Sequence, residues 1–91
     1  MLDPRTNARY DRNCAALSAA EPYFSERYTL ARALLESAAV GNGRIVFAGG
    51  HRCGAYGCSC QEYQGGVECL HCVSWRVAVG LTFAEARYVA L

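Results

Sequence analysis

Cys58-Ser59-Cys60 is followed, after eight intervening residues, by Cys69-Leu70-His71, and these two pairs constrain the chain more than anything else in it. Two donors one residue apart can face a single cation when the backbone is extended or turned, and a second such pair can close a tetrahedron around it. Zinc accepts thiolate sulfur and imidazole nitrogen in that geometry and brings no redox chemistry of its own. The linking loop contains Gly65 and Gly66, which allow the tight turns that such wrapping requires. The spacing therefore predicts one Zn2+ per chain, with Cys58, Cys60, Cys69 and His71 as the metal ligands.

The chain has 91 residues, which is the size of one domain with a thin core. Hydrophobic residues make up 53%, so an ordered globule is expected, but a core this small commonly needs a metal, disulfides or a partner. The start, Met1-Leu2-Asp3-Pro4-Arg5, lacks the basic and then apolar profile of a secretory signal. An intracellular location, cytoplasmic or nucleoid-associated, is expected from this. Six cysteines in a reducing compartment are metal ligands and buried thiols rather than three disulfides. Arg27, Arg32, Glu36 and Arg44 interrupt the apolar stretches before a membrane span can form, so no membrane role is expected.

Nine arginines and eight acids leave a formal charge of +1, and one zinc with three thiolates brings the sum to zero. The arginines alternate with acids rather than forming a basic stripe. Nonspecific duplex binding draws on several clustered phosphate contacts, so any DNA binding should be weak and should rest on dispersed residues such as Arg44, Arg52 and Arg76.

Along the chain, Asp3 caps a helix that has Pro4 in its first turn and that alanines carry toward Glu21, where Pro22 ends it. A second helix begins near Ser25. Tyr28, Ala31, Leu35 and Ala38 recur on one face beside Leu30 and Leu34, and Gly41-Asn42-Gly43 is expected to stop it. Arg44-Ile45-Val46-Phe47-Ala48 suits a short strand entering a glycine turn. Val73 to Leu81 alternates as a strand would, and Thr82-Phe83-Ala84-Glu85 has the spacing of a helix capping box. The organisation that follows is an N-terminal helical segment, 1–43, and a metal module, 44–91, forming one domain.

From Arg44 to Leu81 the chain resembles the SWIM zinc-finger family, whose pattern is Cys-x-Cys, a variable gap, then Cys-x-His. Glu62-Tyr63, just after Cys60, looks like the acidic and aromatic pair common in that family. The chain departs from the pattern in carrying Gln61 where a proline is common, and Leu70 where a basic residue is common, which removes a candidate phosphate contact. The resemblance implies a small α+β fold, in which N-terminal helices precede a zinc-bound β-hairpin and a helix that begins near Cys69. This helix conflicts with the alternating pattern of Val73 to Leu81, and the expectation taken here is the helix. The resemblance also implies an accessory domain of the kind found in transposases, chromatin-remodelling ATPases and recombination factors.

The remaining donors are Cys14, Cys53, Cys72 and His51. Zinc needs only four ligands, so the three cysteines are expected to be unligated, as small buried hydrophobes, with Cys53 and Cys72 as alternative ligands or as donors to a second, incomplete site. His51 is expected as a loop residue or a hydrogen-bonding partner rather than a ligand. Glu62 and Glu68 lie near the ligands, but no base, nucleophile and oxyanion donor assemble from the spacing, so no enzyme activity is expected. Neutral charge and the aromatics Tyr10, Tyr23, Phe24, Tyr28, Tyr56, Tyr63, Trp75 and Tyr88 favour a protein-interaction adaptor, with Tyr23, Phe24 and Arg27 as a candidate partner surface. The alternatives are a direct DNA-binding finger, and a thiol redox or metal-buffering protein, which would need an exposed Cys53 or Cys72.

Overall fold

Asp3 takes up the capping role that its position before Pro4 suggests. Its Oδ1 accepts the amides of Arg5 and Thr6, both at 3.0 Å, and helix α1 runs from there as Pro4–Ala20. The computed structural model describes residues 3–41, 44–54, 57–58 and 68–90, with side chains of the last helix described as far as Ala86. A single 3₁₀ turn, Pro22–Phe24, leads into α2, Ser25–Leu34, and a second one, Leu35–Ser37, follows it. The strands β1 (Ala39–Gly41), β2 (Arg44–Val46), β3 (Arg52–Gly54) and β4 (Gly57–Cys58) then pair antiparallel in sequence order. Helices α3, Leu70–Val79, and α4, Phe83–Ala90, complete the small α+β architecture.

The second helix is shorter than its periodicity predicts. It gives way at Leu34 and Ala39–Gly41 extends to pair with Val46, Ile45 and Arg44, so the chain straightens before Gly41 rather than being stopped by it. This pairing crosses the point at which the sequence divides into 1–43 and 44–91. The stripe itself is as expected, since Tyr28, Ala31 and Leu35 are all fully buried. Leu30, on the other side, is 51% exposed. Gly50, with φ near +90°, occupies the left-handed region that closes the turn between β2 and β3, where its amide donates to the Phe47 carbonyl at 2.8 Å.

Val73 to Val79 is helical despite its alternation. Alternation marks a strand only when every second residue faces water. Here Ser74, Arg76 and Ala78 are buried along with Val73 and Val77, because α1 and α2 and strand β3 pack around α3. Ser74 Oγ lies 3.0 Å from both the Ala31 and the Leu70 carbonyls, so its one proton is shared between them and ties α3 to α2 while keeping the buried hydroxyl matched. Gly80, at φ +80°, ends the helix in the left-handed conformation. The Gly80 and Leu81 amides donate to the Arg76 carbonyl, while Asn13 Nδ2 donates to the Val77 carbonyl at 2.8 Å. The capping box forms reciprocally, with the Thr82 amide donating to Glu85 at 2.9 Å and the Glu85 amide donating to Thr82 Oγ1 at 3.2 Å.

Among the described residues Arg76 is the largest fully buried side chain, with 1% exposure, and this corrects its place among the candidate nucleic-acid contacts. Its guanidinium meets Glu68 in a two-pronged pair, Nε to Oε2 at 2.8 Å and Nη2 to Oε1 at 2.9 Å. Nη1 donates to the Tyr28 hydroxyl at 2.5 Å and lies 3.8 Å from Glu21 Oε1. The Tyr28 hydroxyl donates in turn to Glu21, whose Oε1 also accepts the Phe83 amide at 2.9 Å. Tyr28, Phe24 and Phe83 surround the cation with their rings. Burial pushes the Glu21 carboxyl up, but the Tyr28 hydroxyl, the Phe83 amide and Arg76 more than offset it and hold the group below its ordinary 4.5.

Truncating Arg76 would leave Glu21 and Glu68 without their counter-charge. Arg76→Ala is expected to cost about 3–5 kcal/mol in urea unfolding, against less than about 0.5 kcal/mol for exposed Arg44→Ala. Because Glu21 titrates lower folded than unfolded, its contribution is complete above pH 4.5 and is lost as pH falls through the folded value. The stability of the protein should therefore fall faster below that pH than that of Glu21→Gln. Parallel curves would remove Glu21 from the network.

Candidate metal centre

The hairpin β3–β4 and the start of α3 meet at their sulfur atoms. In the antiparallel register Cys53 lies directly across from Cys58, and both are buried. Cys69 occupies the N-cap position of α3 and Cys72 follows one turn on, a spacing that places both on one face of the helix. Aligned peptide dipoles at that end favour anionic sulfur.

Two sets of donors result. Cys58, Cys69 and His71 have ligand atoms that all lie within 4.8 Å of one another, and so do Cys53, Cys58 and Cys72. The Cys53 and Cys72 sulfurs are 3.4 Å apart, and those of Cys69 and Cys72 are 3.6 Å apart. Both separations are far longer than the roughly 2.05 Å of a disulfide and lie near the edge, about 3.8 Å, of a tetrahedron of thiolates around zinc at about 2.3 Å. Cys53, Cys58, Cys69 and Cys72 are thus close enough to hold a metal ion, and buried soft donors of this kind suit thiophilic cations. The Cys72 thiol is held well above its ordinary value by its hydrogen bond with Cys53 and by burial, so an incoming cation would have to displace a proton there.

Of the ligands read from the sequence, Cys58, Cys69 and His71 come together, whereas Cys60 lies outside the described residues, as do Tyr56 and the Glu62-Tyr63 pair. Cys53 and Cys72, expected as unligated side chains or ligand alternatives, sit within the same cluster, with Cys53 wholly buried. Cys14 belongs to neither set, and its thiol donates to the Tyr28 carbonyl at 3.5 Å. The His51 ring lies 4.9 Å from that of His71, and Phe47 packs 4.6 Å from the same ring. Glu68, beside Cys69, is committed to Arg76, which leaves it unsuited to act as a base.

The remaining candidates separate by exposure. Arg44 and Arg52 are exposed on β2 and β3. Tyr23 is 76% exposed, but Phe24 packs edge-on against Tyr28 and lies beside Phe83, and Arg27 Nη2 donates to the Glu68 carbonyl at 3.0 Å. Arg27 therefore braces the backbone just before Cys69. Tyr10 and Tyr28, counted from sequence among the aromatics available for contacts, are fully buried. Cys53, which the sequence offers only as an alternative ligand, is brought opposite Cys58 by the β3–β4 register, which ligand spacing alone does not announce. No helix among the described residues is long and apolar enough to cross a membrane.

Models of known protein families, curated proteins and solved structures were all compared with the chain, and none matches.

A metal at this centre would join the hairpin to α3, so its removal should be felt as lost stability. Chelation is expected to loosen the β3–β4 and α3 region, since structural zinc in small fingers contributes on the order of 10 kcal/mol of apparent binding energy. Cys69→Ser should act similarly, whereas Cys14→Ala should cost only about 1–2 kcal/mol. Amide exchange with and without chelator reads this directly, and unchanged protection across α3 would exclude a structural metal.

Proposed function

We propose that the chain is a structural zinc module of the SWIM type that serves as a protein-interaction adaptor, with one zinc held by Cys58, Cys60, Cys69 and His71. The observation that carries this reading is the approach of Cys58, Cys69 and His71 to within 4.8 Å of one another, one from a hairpin strand and two from the start of a helix. This is the pairing that the Cys-x-Cys and Cys-x-His spacing requires. A shell filled by four protein donors leaves no position for a reactive water, so the role is architectural rather than catalytic.

The adaptor reading gains support from what lies at the surface. Tyr23 is 76% exposed and Leu30 51% exposed, and large exposed aromatics are favoured anchors at protein interfaces. The direct DNA-binding reading is weakened because Arg76 is consumed by Glu68 and Tyr28, leaving the dispersed Arg44 and Arg52 from the original three. The thiol redox reading is weakened as well, since Cys53 is 0% exposed and Cys72 9%, and reactive thiols need access.

X-ray absorption at the zinc edge tests the ligand set. The proposed shell contains sulfur and imidazole nitrogen, and His71→Ala should remove the nitrogen signal; an all-sulfur shell in the unaltered protein would overturn the quartet.

Titration of labelled duplex at two salt concentrations separates adaptor from DNA binder. The adaptor reading expects weak binding that collapses as salt rises, because only a few phosphate contacts are available. Tight binding that survives high salt would replace it with direct base readout.

A further inference from the structure

Cys53 and Cys72 are left over when one zinc takes the quartet, yet they point into the same cluster. Cys53, Cys58 and Cys72 lie within 4.8 Å of one another, and Cys69 joins them at 3.6 Å from Cys72. Cys58 therefore belongs to both donor sets, and Cys69, a member of the set with His71, lies beside Cys72 of the other. We propose that the cluster holds a second thiophilic d10 cation, Zn2+ or Cd2+, bound by Cys53, Cys58, Cys69 and Cys72, with Cys58 and Cys69 bridging it to the first metal. This rests on the zinc reading above, which supplies the first ion.

The argument comes from periodicity, coordination number and charge. On α3, residues three apart share a face while adjacent residues diverge by about 100°. Cys69 and Cys72 can therefore approach one ion while His71 turns toward another, with Cys69 between them. On the hairpin, the cross-strand partners Cys53 and Cys58 stand side by side. Zinc in structural sites takes four donors, so a single ion cannot use all of these thiols.

Two ions sharing two thiolates can use them. When the second binds, Cys53 and Cys72 each release a proton, and Cys58 and Cys69 each donate a further lone pair. The added double positive charge cancels the two new thiolates, so the buried cluster gains ligands without gaining net charge. Buried charge is tolerated only when compensated in this way.

The test is anaerobic reconstitution of the unaltered chain with ¹¹³Cd2+, followed by metal analysis after desalting and ¹¹³Cd NMR. The expected result is two ions per chain and two resonances split by scalar coupling through the shared thiolates. Cys53→Ser with Cys72→Ser should reduce the content from two to one and leave a single unsplit line. Two lines without coupling would overturn the bridging arrangement. One ion per chain, retained in the serine pair but lost in His71→Ala, would overturn the second site while leaving the quartet intact. One ion lost in the serine pair but retained in His71→Ala would overturn both, assigning the resident metal to sulfur alone.

Discussion

Helix α3 joins the two halves of the molecule because its ten residues and the Cys69 cap that precedes them carry both a buried cation and two thiols at the hairpin. Arg76 anchors its middle to Glu68, Tyr28 and, more distantly, Glu21, while Cys69 and Cys72 fix its first turn against β3 and β4. Neither contact is local. Glu21 closes α1, Tyr28 lies on α2 and Phe83 begins α4, so one guanidinium gathers the four α-helices among the described residues. A buried charge with this many partners contributes less to net stability than to selecting one arrangement, since any other packing would strand it.

The thiol cluster and the arginine network are linked through Glu68. Its carboxylate holds Arg76, its carbonyl accepts Arg27, and the next residue in the chain is Cys69. The approach of the backbone to the thiol cluster is thereby set from two helices at once. A donor group whose direction is determined before the cation arrives loses less freedom on binding, which is the physical content of a preorganised site.

Much of this was legible from sequence where the cause is local. The Asp3 cap, the Thr82–Glu85 box and the Tyr28–Ala31–Leu35 stripe each depend on residues a few positions apart, and each appears where spacing puts it. What sequence obscured depends on burial. Arg76 reads as a surface cation in an alternating segment, because nothing in Ser74-Trp75-Arg76-Val77 announces that both faces of the helix are covered. The end of α2 was likewise misplaced, since the strand pairing of Ala39 with Val46 depends on a partner downstream.

Cys53 shows the same limit in the thiol cluster. Five residues before Cys58 it matches no short ligand pair, so from sequence it reads first as a small buried hydrophobe and only second as an alternative ligand. Antiparallel pairing converts that separation into direct adjacency, because Gly54 and Gly57 face each other and bring the flanking cysteines into register. Spacing rules for metal ligands describe donors that the backbone brings together within a turn or two. A donor supplied across a hairpin escapes them, so the number of residues between two cysteines places them at one centre only once the register of the strands is known.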